Sequence, residues 1–163
     1  MLGPRVSRGF FTQLQARPER RGRAVLDIAL ERVGSGGLQA AMGALARYGL
    51  AEAARRPYDV LSGGEKARLE VLCLELEGHN LLLLDEPTDN LDIDSAEALE
   101  RALEAFQGTV VAVSHDRAFL RTLDRFLIVL HDGSVAALPT YEVALRALLD
   151  PRGALALPLA KVL

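Results

Sequence analysis

Apolar positions along this chain follow two rhythms. Between about residues 17 and 59 they recur at helical spacing: Val25, Ile28, Ala29 and Val33 form one stripe, and Leu38, Ala41, Met42 and Leu45 a second. Gly34-Ser35-Gly36-Gly37 breaks the two, and Pro57 closes the stretch. The second rhythm is the short unbroken run. Four leucines at 81–84 and the β-branched run 109–113 are too short for helices and predict buried strands, with a further short strand over 6–11. Runs 126–130 and 135–138 flank His131-Asp132-Gly133-Ser134, whose central Asp-Gly predicts a hairpin. Helices are expected from Gly64 to about Glu77, stopped at Gly78, and over about 95–106, 117–123 and 141–149. The Pro-interrupted tail, 151–163, predicts no element.

Apolar strands alternating with amphipathic helices imply an α/β fold whose mostly parallel sheet is buried on both faces. The helical stretch interrupts that alternation and is expected to form a separate lobe. The organisation predicted is one partial domain over 1–163, with a helical subdomain at 14–60, a core at 61–150 and a tail at 151–163. At 163 residues, 50% hydrophobic and 25% charged, the chain has the size and composition of a soluble globular domain. Its net charge of −3 provides no global field to recruit DNA or an anionic membrane. Arg5, Arg8, Arg17, Arg20, Arg21 and Arg23 face only Glu19, a run expected to be a solvated face. Cys73 is alone, which fits a reducing cytoplasm, and its spacing with Leu69, Leu72 and Leu76 places it in the core. No apolar run approaches the ~20 residues of a spanning helix, so direct membrane insertion is not expected.

The candidate chemistry begins where the leucine strand ends in Asp85-Glu86. Burying that strand places both carboxylates at the carboxyl edge of the sheet, where α/β folds bind ligands. One acid there can hold Mg²⁺ through water, and the next can polarise an attacking water; an acidic capping turn would use the same residues. Ser62-Gly63-Gly64-Glu65 has the Ser-x-x-Glu spacing of a capping box. Two adjacent glycines go beyond that need, and bare amides at a helix start make an anion site suited to a terminal phosphate. His115 follows the strand 110–114 and is expected at the same edge as Glu86, within reach of a γ-phosphate or its attacking water. Gln13, after the first strand, is a weaker candidate. His79 and His131 fall in loops, and the three histidines and one cysteine lack zinc-ligand spacing. No Gly-x-x-x-x-Gly-Lys-Ser/Thr loop occurs, and the two lysines, Lys66 and Lys161, follow no such pattern.

Leu61-Ser62-Gly63-Gly64-Glu65, the strand ending Asp85-Glu86-Pro87, the following Thr88-Asp89-Asn90-Leu91-Asp92 and Ser114-His115-Asp116 occur in an order that resembles the ATP-binding cassette (ABC) ATPases. Ser114-His115-Asp116-Arg117 with Phe119-Leu120, and Glu97-Ala98-Leu99-Glu100 before it, are most similar to the F subfamily. Gly9-Phe10-Phe11-Thr12-Gln13 resembles that subfamily's Q-loop entrance, while Asp89-Asn90 departs from its usual Asn-His. The resemblance implies a P-loop NTPase-like fold with a helical subdomain insertion, here without the N-terminal strands and phosphate loop. It implies ATP and Mg²⁺ as cofactors, and roles residue by residue. Ser62, Gly63, Gly64 and Glu65 would form the signature turn on a γ-phosphate, Asp85 with Gln13 would sit at the metal, and Glu86 would be the general base. His115 would be the switch histidine, and Asp92 would belong to the D-loop. The expected partner is a second ABC ATPase domain, upstream or in trans. F-subfamily members have two ATPase domains in one chain, many act on the ribosome and some confer antibiotic resistance. An ATPase subunit of a transporter and an inactive truncated remnant are the other readings, and poor ATP binding by this chain alone is expected.

Overall fold

Three short strands carry the centre of the molecule. The computed structural model describes residues 5–11, 17–89, 91–130, 132–149 and 159–160. Strand β1 (Arg8–Phe11) pairs in parallel with β2 (Leu81–Asp85), which pairs in parallel with β3 (Thr109–Ser114). The register aligns Gly9 with Leu82 and Val110, and Phe11 with Leu84 and Ala112. Successive strand residues point to opposite faces, so this alignment collects Phe11, Leu82, Leu84, Val110 and Ala112 on one face, all buried.

The opposite face differs from the expectation of burial on both sides. Phe10 is 55% exposed, and Leu81, Leu83, Thr109 and Val111 are only half-buried. The four leucines read as one buried run alternate in the structure, Leu82 and Leu84 buried and Leu81 and Leu83 half-buried. The core joins Leu69 and Leu72 of α3 (Gly63–Leu76) with Leu99, Ala102 and Leu103 of α4 (Ile93–Ala105).

The hairpin forms as its turn chemistry predicts. β4 (Phe126–Val129) and β5 (Val135–Leu138) pair antiparallel, and Gly133 supplies the left-handed corner at φ +81°. His131 lies outside the described residues. The tail does contribute an element: β6 (Leu159–Ala160), two residues long, lies between β3 and β4 and is antiparallel to both. The sheet order is therefore β1-β2-β3-β6-β4-β5. β3 and β4 run in the same direction on either side of it.

The helical stretch gives α1 (Val25–Leu30) and α2 (Gly37–Arg47), separated by a 3-10 turn at Gly34–Gly36. Val25, Ile28, Ala29, Ala41 and Leu45 are buried in the same contiguous core as Leu72 and Leu82. Leu38 is 60% exposed, so the second stripe meets the core only from Ala41 onward. The amino-terminal arginines are largely tied up in ion pairs. Arg17 and Arg20 both engage Glu70 on α3, Arg20 at 2.7 Å, while Arg21 faces Asp59 and Arg23 faces Glu31. Cys73 sits in the core as its spacing predicts, and burial pushes its thiol up to about 11, which leaves it inert at neutral pH. Two shorter helices, α5 (Arg117–Arg121) and α6 (Tyr141–Leu149), flank the hairpin.

Candidate functional site

The carboxyl edge of β2 and β3 brings two predicted residues into contact. The chain leaves β2 at Glu86 in a left-handed conformation, φ +43°, with its N–H donating to the Val113 carbonyl at 2.8 Å. Among the described residues Glu86 is the one non-glycine with positive φ. Such a conformation costs on the order of 1–3 kcal/mol and concentrates at functional sites. The Glu86 Oε2 accepts the His115 backbone N–H at 3.1 Å and lies 2.9 Å from the ring Nδ1. That hydrogen bond, followed by the charge of Glu86, raises the His115 imidazole above its ordinary value. Asp89 adds a smaller push in the same direction, with its Oδ1 4.0 Å from Nε2.

Glu86, Asp89 and His115 thus place one ligating atom each within 4.8 Å of one another. The sequence marked Asp89 only as part of the departure at Asp89-Asn90 and gave it no role in the site. Its signal was the turn itself, in which the Asp89 N–H returns to the Glu86 carbonyl at 3.1 Å. Asp85 is exposed at the end of β2 and stands outside this group of three. Gln13 and Asn90 lie outside the described residues. The carboxylate oxygens of Asp85, Glu86 and Asp89 are the hard donors that Mg²⁺ takes, so the residues present fit that ion.

The second predicted group begins α3. Ser62 and Glu65 form the full capping box: Ser62 Oγ accepts the Glu65 N–H at 3.1 Å, and Glu65 Oε2 accepts the Ser62 N–H at 2.8 Å. Arg56 pairs with the other Glu65 oxygen at 2.7 Å. Burial pulls the Glu65 carboxyl up, but the Ser62 and Arg56 bonds together hold it below the usual range.

The two glycines have a reason that sequence reasoning missed. A Cβ at Gly63 would stand 2.7 Å from Ser95 Oγ, and one at Gly64 would stand 2.8 Å from the Ala98 Cβ. Close packing of α3 on α4 leaves no room for a side chain at Gly64, and one at Gly63 would displace the Ser95 hydroxyl, so the doubled glycine does not answer to an anion alone. α4 in turn is capped by Asp92, whose Oδ1 accepts the Ser95 N–H at 2.8 Å; hydrogen bonding from the Ser95 side chain, and then from its backbone, lowers the Asp92 carboxyl. Asp92 and the Ser62 turn are therefore joined through Ser95. Among the described residues no hydrogen bond or ion pair links Ser62, Gly63, Gly64 or Glu65 to Glu86 or His115. His79 bonds the Ser7 hydroxyl through Nδ1 at 3.0 Å and fixes the entry to β1.

The fold and these turns define a class. The family described as ABC transporter matches residues 11–89. The chain overlays an ATP-binding cassette of an ABC transporter in its ADP conformation with a TM-score of 0.66 at 20% identity, covering 90% of this chain and 65% of the other. It overlays a dimeric post-hydrolysis cassette bound to ADP and Pi with a TM-score of 0.56 at 26% identity, covering 83% and 63%. Residues 11–89 of the chain thus match the ATP-binding cassette family, and its relatives include F-type members. It is 53% identical to an "Antibiotic resistance protein" of Mycobacteroides abscessus over 82% of this chain and 25% of that one. It is also 43% identical to the human ATP-binding cassette sub-family F member 3 over 65% of this chain and 15% of that one, and 50% identical to ABC transporter F family member 5 of Arabidopsis thaliana over 48% and 11%. The chain thus spans a quarter or less of these curated relatives. No helix among the described residues is long and apolar enough to cross a membrane.

Proposed function

We propose that this chain serves ATP binding and hydrolysis as part of an F-type ABC ATPase acting on the ribosome or in antibiotic resistance, and that it supplies one portion of the site. The observation that carries this reading is Glu86, held left-handed at the sheet edge with its carboxylate against His115. A base must be aimed before the reaction begins, and two donors from His115 aim this one. Glu86 accepts a proton from the attacking water, and His115 hydrogen-bonds the terminal phosphoryl group. A bound Mg²⁺ would supply neutralising charge for the phosphate oxygens, and Asp85, with Gln13, would hold it. Ser62, Gly63 and Gly64 offer their hydroxyl and amides to a γ-phosphate bound chiefly by a second ATPase domain, and Asp92 lies at the boundary with that domain. Residues 14–60 act as a helical subdomain and 61–150 as the core.

The sequence supports this division of labour. It contains no Gly-x-x-x-x-Gly-Lys-Ser/Thr loop, so in this reading the phosphate loop comes from another ATPase segment. The chain alone is therefore expected to bind ATP weakly, and micromolar affinity in equilibrium binding would contradict the reading.

The decisive experiment fuses the chain behind an upstream segment carrying a phosphate loop and follows phosphate release. Glu86→Gln is expected to slow turnover by about 10²–10⁴-fold while ATP binding is kept. Equal rates for the two proteins would remove Glu86 as the base. Co-sedimentation of the fused protein with ribosomes, and not with membranes, separates the ribosomal role from that of a transporter subunit.

A further inference from the structure

The cluster at the carboxyl edge of β2 and β3 holds a donor set that an aimed base does not need. Glu86 and Asp89 belong to the turn after β2, and His115 follows β3. Each offers one ligating atom, a ring nitrogen and two carboxylate oxygens, and the three atoms lie within 4.8 Å of one another. Glu86 Oε2 is 2.9 Å from Nδ1, and Asp89 Oδ1 is 4.0 Å from Nε2. Among the described residues no other three histidine, cysteine, aspartate or glutamate side chains come this close. The pair of His79 with Glu77, at 3.6 Å, shows the simpler arrangement of one imidazole and one carboxylate.

Two carboxylates alone would be an ordinary acidic surface. The imidazole changes the chemistry. Hard ions such as Mg²⁺ take oxygen donors, whereas a mixed set of imidazole nitrogen and carboxylate oxygen suits zinc and its neighbours in the first transition row. Zinc bonds of about 2.0–2.2 Å to such donors set adjacent ligand atoms about 3.3 Å apart in a tetrahedron. The Glu86–His115 separation is near that spacing. The His115 side chain is 74% exposed, so the ring is free to turn one nitrogen toward both oxygens. The backbone holding these groups is fixed by the Glu86 N–H on the Val113 carbonyl at 2.8 Å and the Asp89 N–H on the Glu86 carbonyl at 3.1 Å.

We propose that Glu86, Asp89 and His115 form a binding site for a divalent transition-metal ion of the zinc type, separate from the Mg²⁺ position given above to Asp85. Three protein ligands leave a further position to water, as in open zinc sites. Spacing among the histidines and the cysteine carried no sign of it, because two of the donors are carboxylates and the third arrives from the next strand. An ion held there takes the Glu86 carboxylate out of use and would switch turnover off. That consequence rests on the reading of Glu86 as the base, whereas binding itself does not.

The test is calorimetric titration of Zn²⁺ into the full chain without nucleotide, paired with NMR of the imidazole resonances. One ion per chain is expected, with the His115 ring signals shifted and those of His79 unmoved. Losing an outer partner of a ligand already costs about 10–100-fold in metal affinity, so losing a ligand in D89N or H115Q should cost about tenfold or more. Circular dichroism checks that both variants fold, and H79Q should bind as the parent chain does. Zinc bound equally well by D89N or H115Q overturns the proposal, and so does loss of binding in H79Q. Displacement of the zinc by an equal concentration of Mg²⁺ would assign the carboxylates to a hard cation and overturn the transition-metal class. In the fused protein, zinc that binds yet leaves phosphate release unchanged would count against Glu86 as the base and leave the metal site standing.

Discussion

Among the carboxylates that hold basic partners, Glu70 and Glu86 do so in opposite environments. Glu70 is 5% exposed and binds Arg17 and Arg20, the latter 4% exposed. Glu86 binds His115, whose side chain is 74% exposed. The first cluster ties the segment that follows β1 to the middle of α3, with Glu70 and Arg20 closed off from solvent. The second is open to solvent, sits on a left-handed residue and uses an imidazole that the Glu86 hydrogen bond raises above its ordinary value. The same pairing of acid with base is fixed where it is buried and adaptable where it is exposed.

Three measurements test that contrast, beginning with the largest effect. Glu70→Ala strands two guanidiniums, one of them buried, and is expected to cost about 3–5 kcal/mol in urea unfolding. A loss under about 1 kcal/mol would put Glu70 in the same class as the exposed pair. Glu86→Gly should act in the other direction. Relief of the left-handed strain is expected to raise stability by about 1 kcal/mol while abolishing hydrolysis in the fused protein. A destabilised E86G chain would mean that the His115 bonds outweigh the strain.

The smallest effect is on proton affinity. An NMR titration of the imidazoles should give His115 a midpoint above the ordinary value of about 6.5, and E86Q should bring it down. Because the folded-state value is the raised one, the pair's stabilisation is fully present below the unfolded value. It is lost as pH rises through the folded value. A His115 midpoint indifferent to E86Q would show that the contact does not persist in solution.

Much of this was legible in the sequence, for identifiable reasons. The strands at 81–85 and 109–114 were marked by short apolar runs, the hairpin by Asp132-Gly133, and α3 by Ser62 and Glu65 at capping spacing. Glu86 and His115 could be brought to one edge because each follows a parallel strand. The sidedness of the sheet was not legible, since a run of leucines carries no mark of which alternate residues a helix will cover. Nor was the reason for Gly63 and Gly64, which depends on where Ser95 and Ala98 fall once α4 packs. A small pocket lined by Arg47, Arg68 and Arg101 draws on residues 21 and 33 positions apart along the chain, a proximity that helical periodicity within one segment does not encode. The two-residue β6 gave no signal, because so short a pairing is decided by its neighbours and not by its own composition.

The contact between the two glycines and the start of α4 has a mechanical consequence. With backbone against side chain and no methyl group between, there is no slack at that joint: α3 and α4 have to travel as a single lever. A ligand that tugs on the Ser62 turn would therefore drag the Asp92 cap with it, and a neighbour pressing on Asp92 would be felt at Ser62 without any signal crossing the sheet.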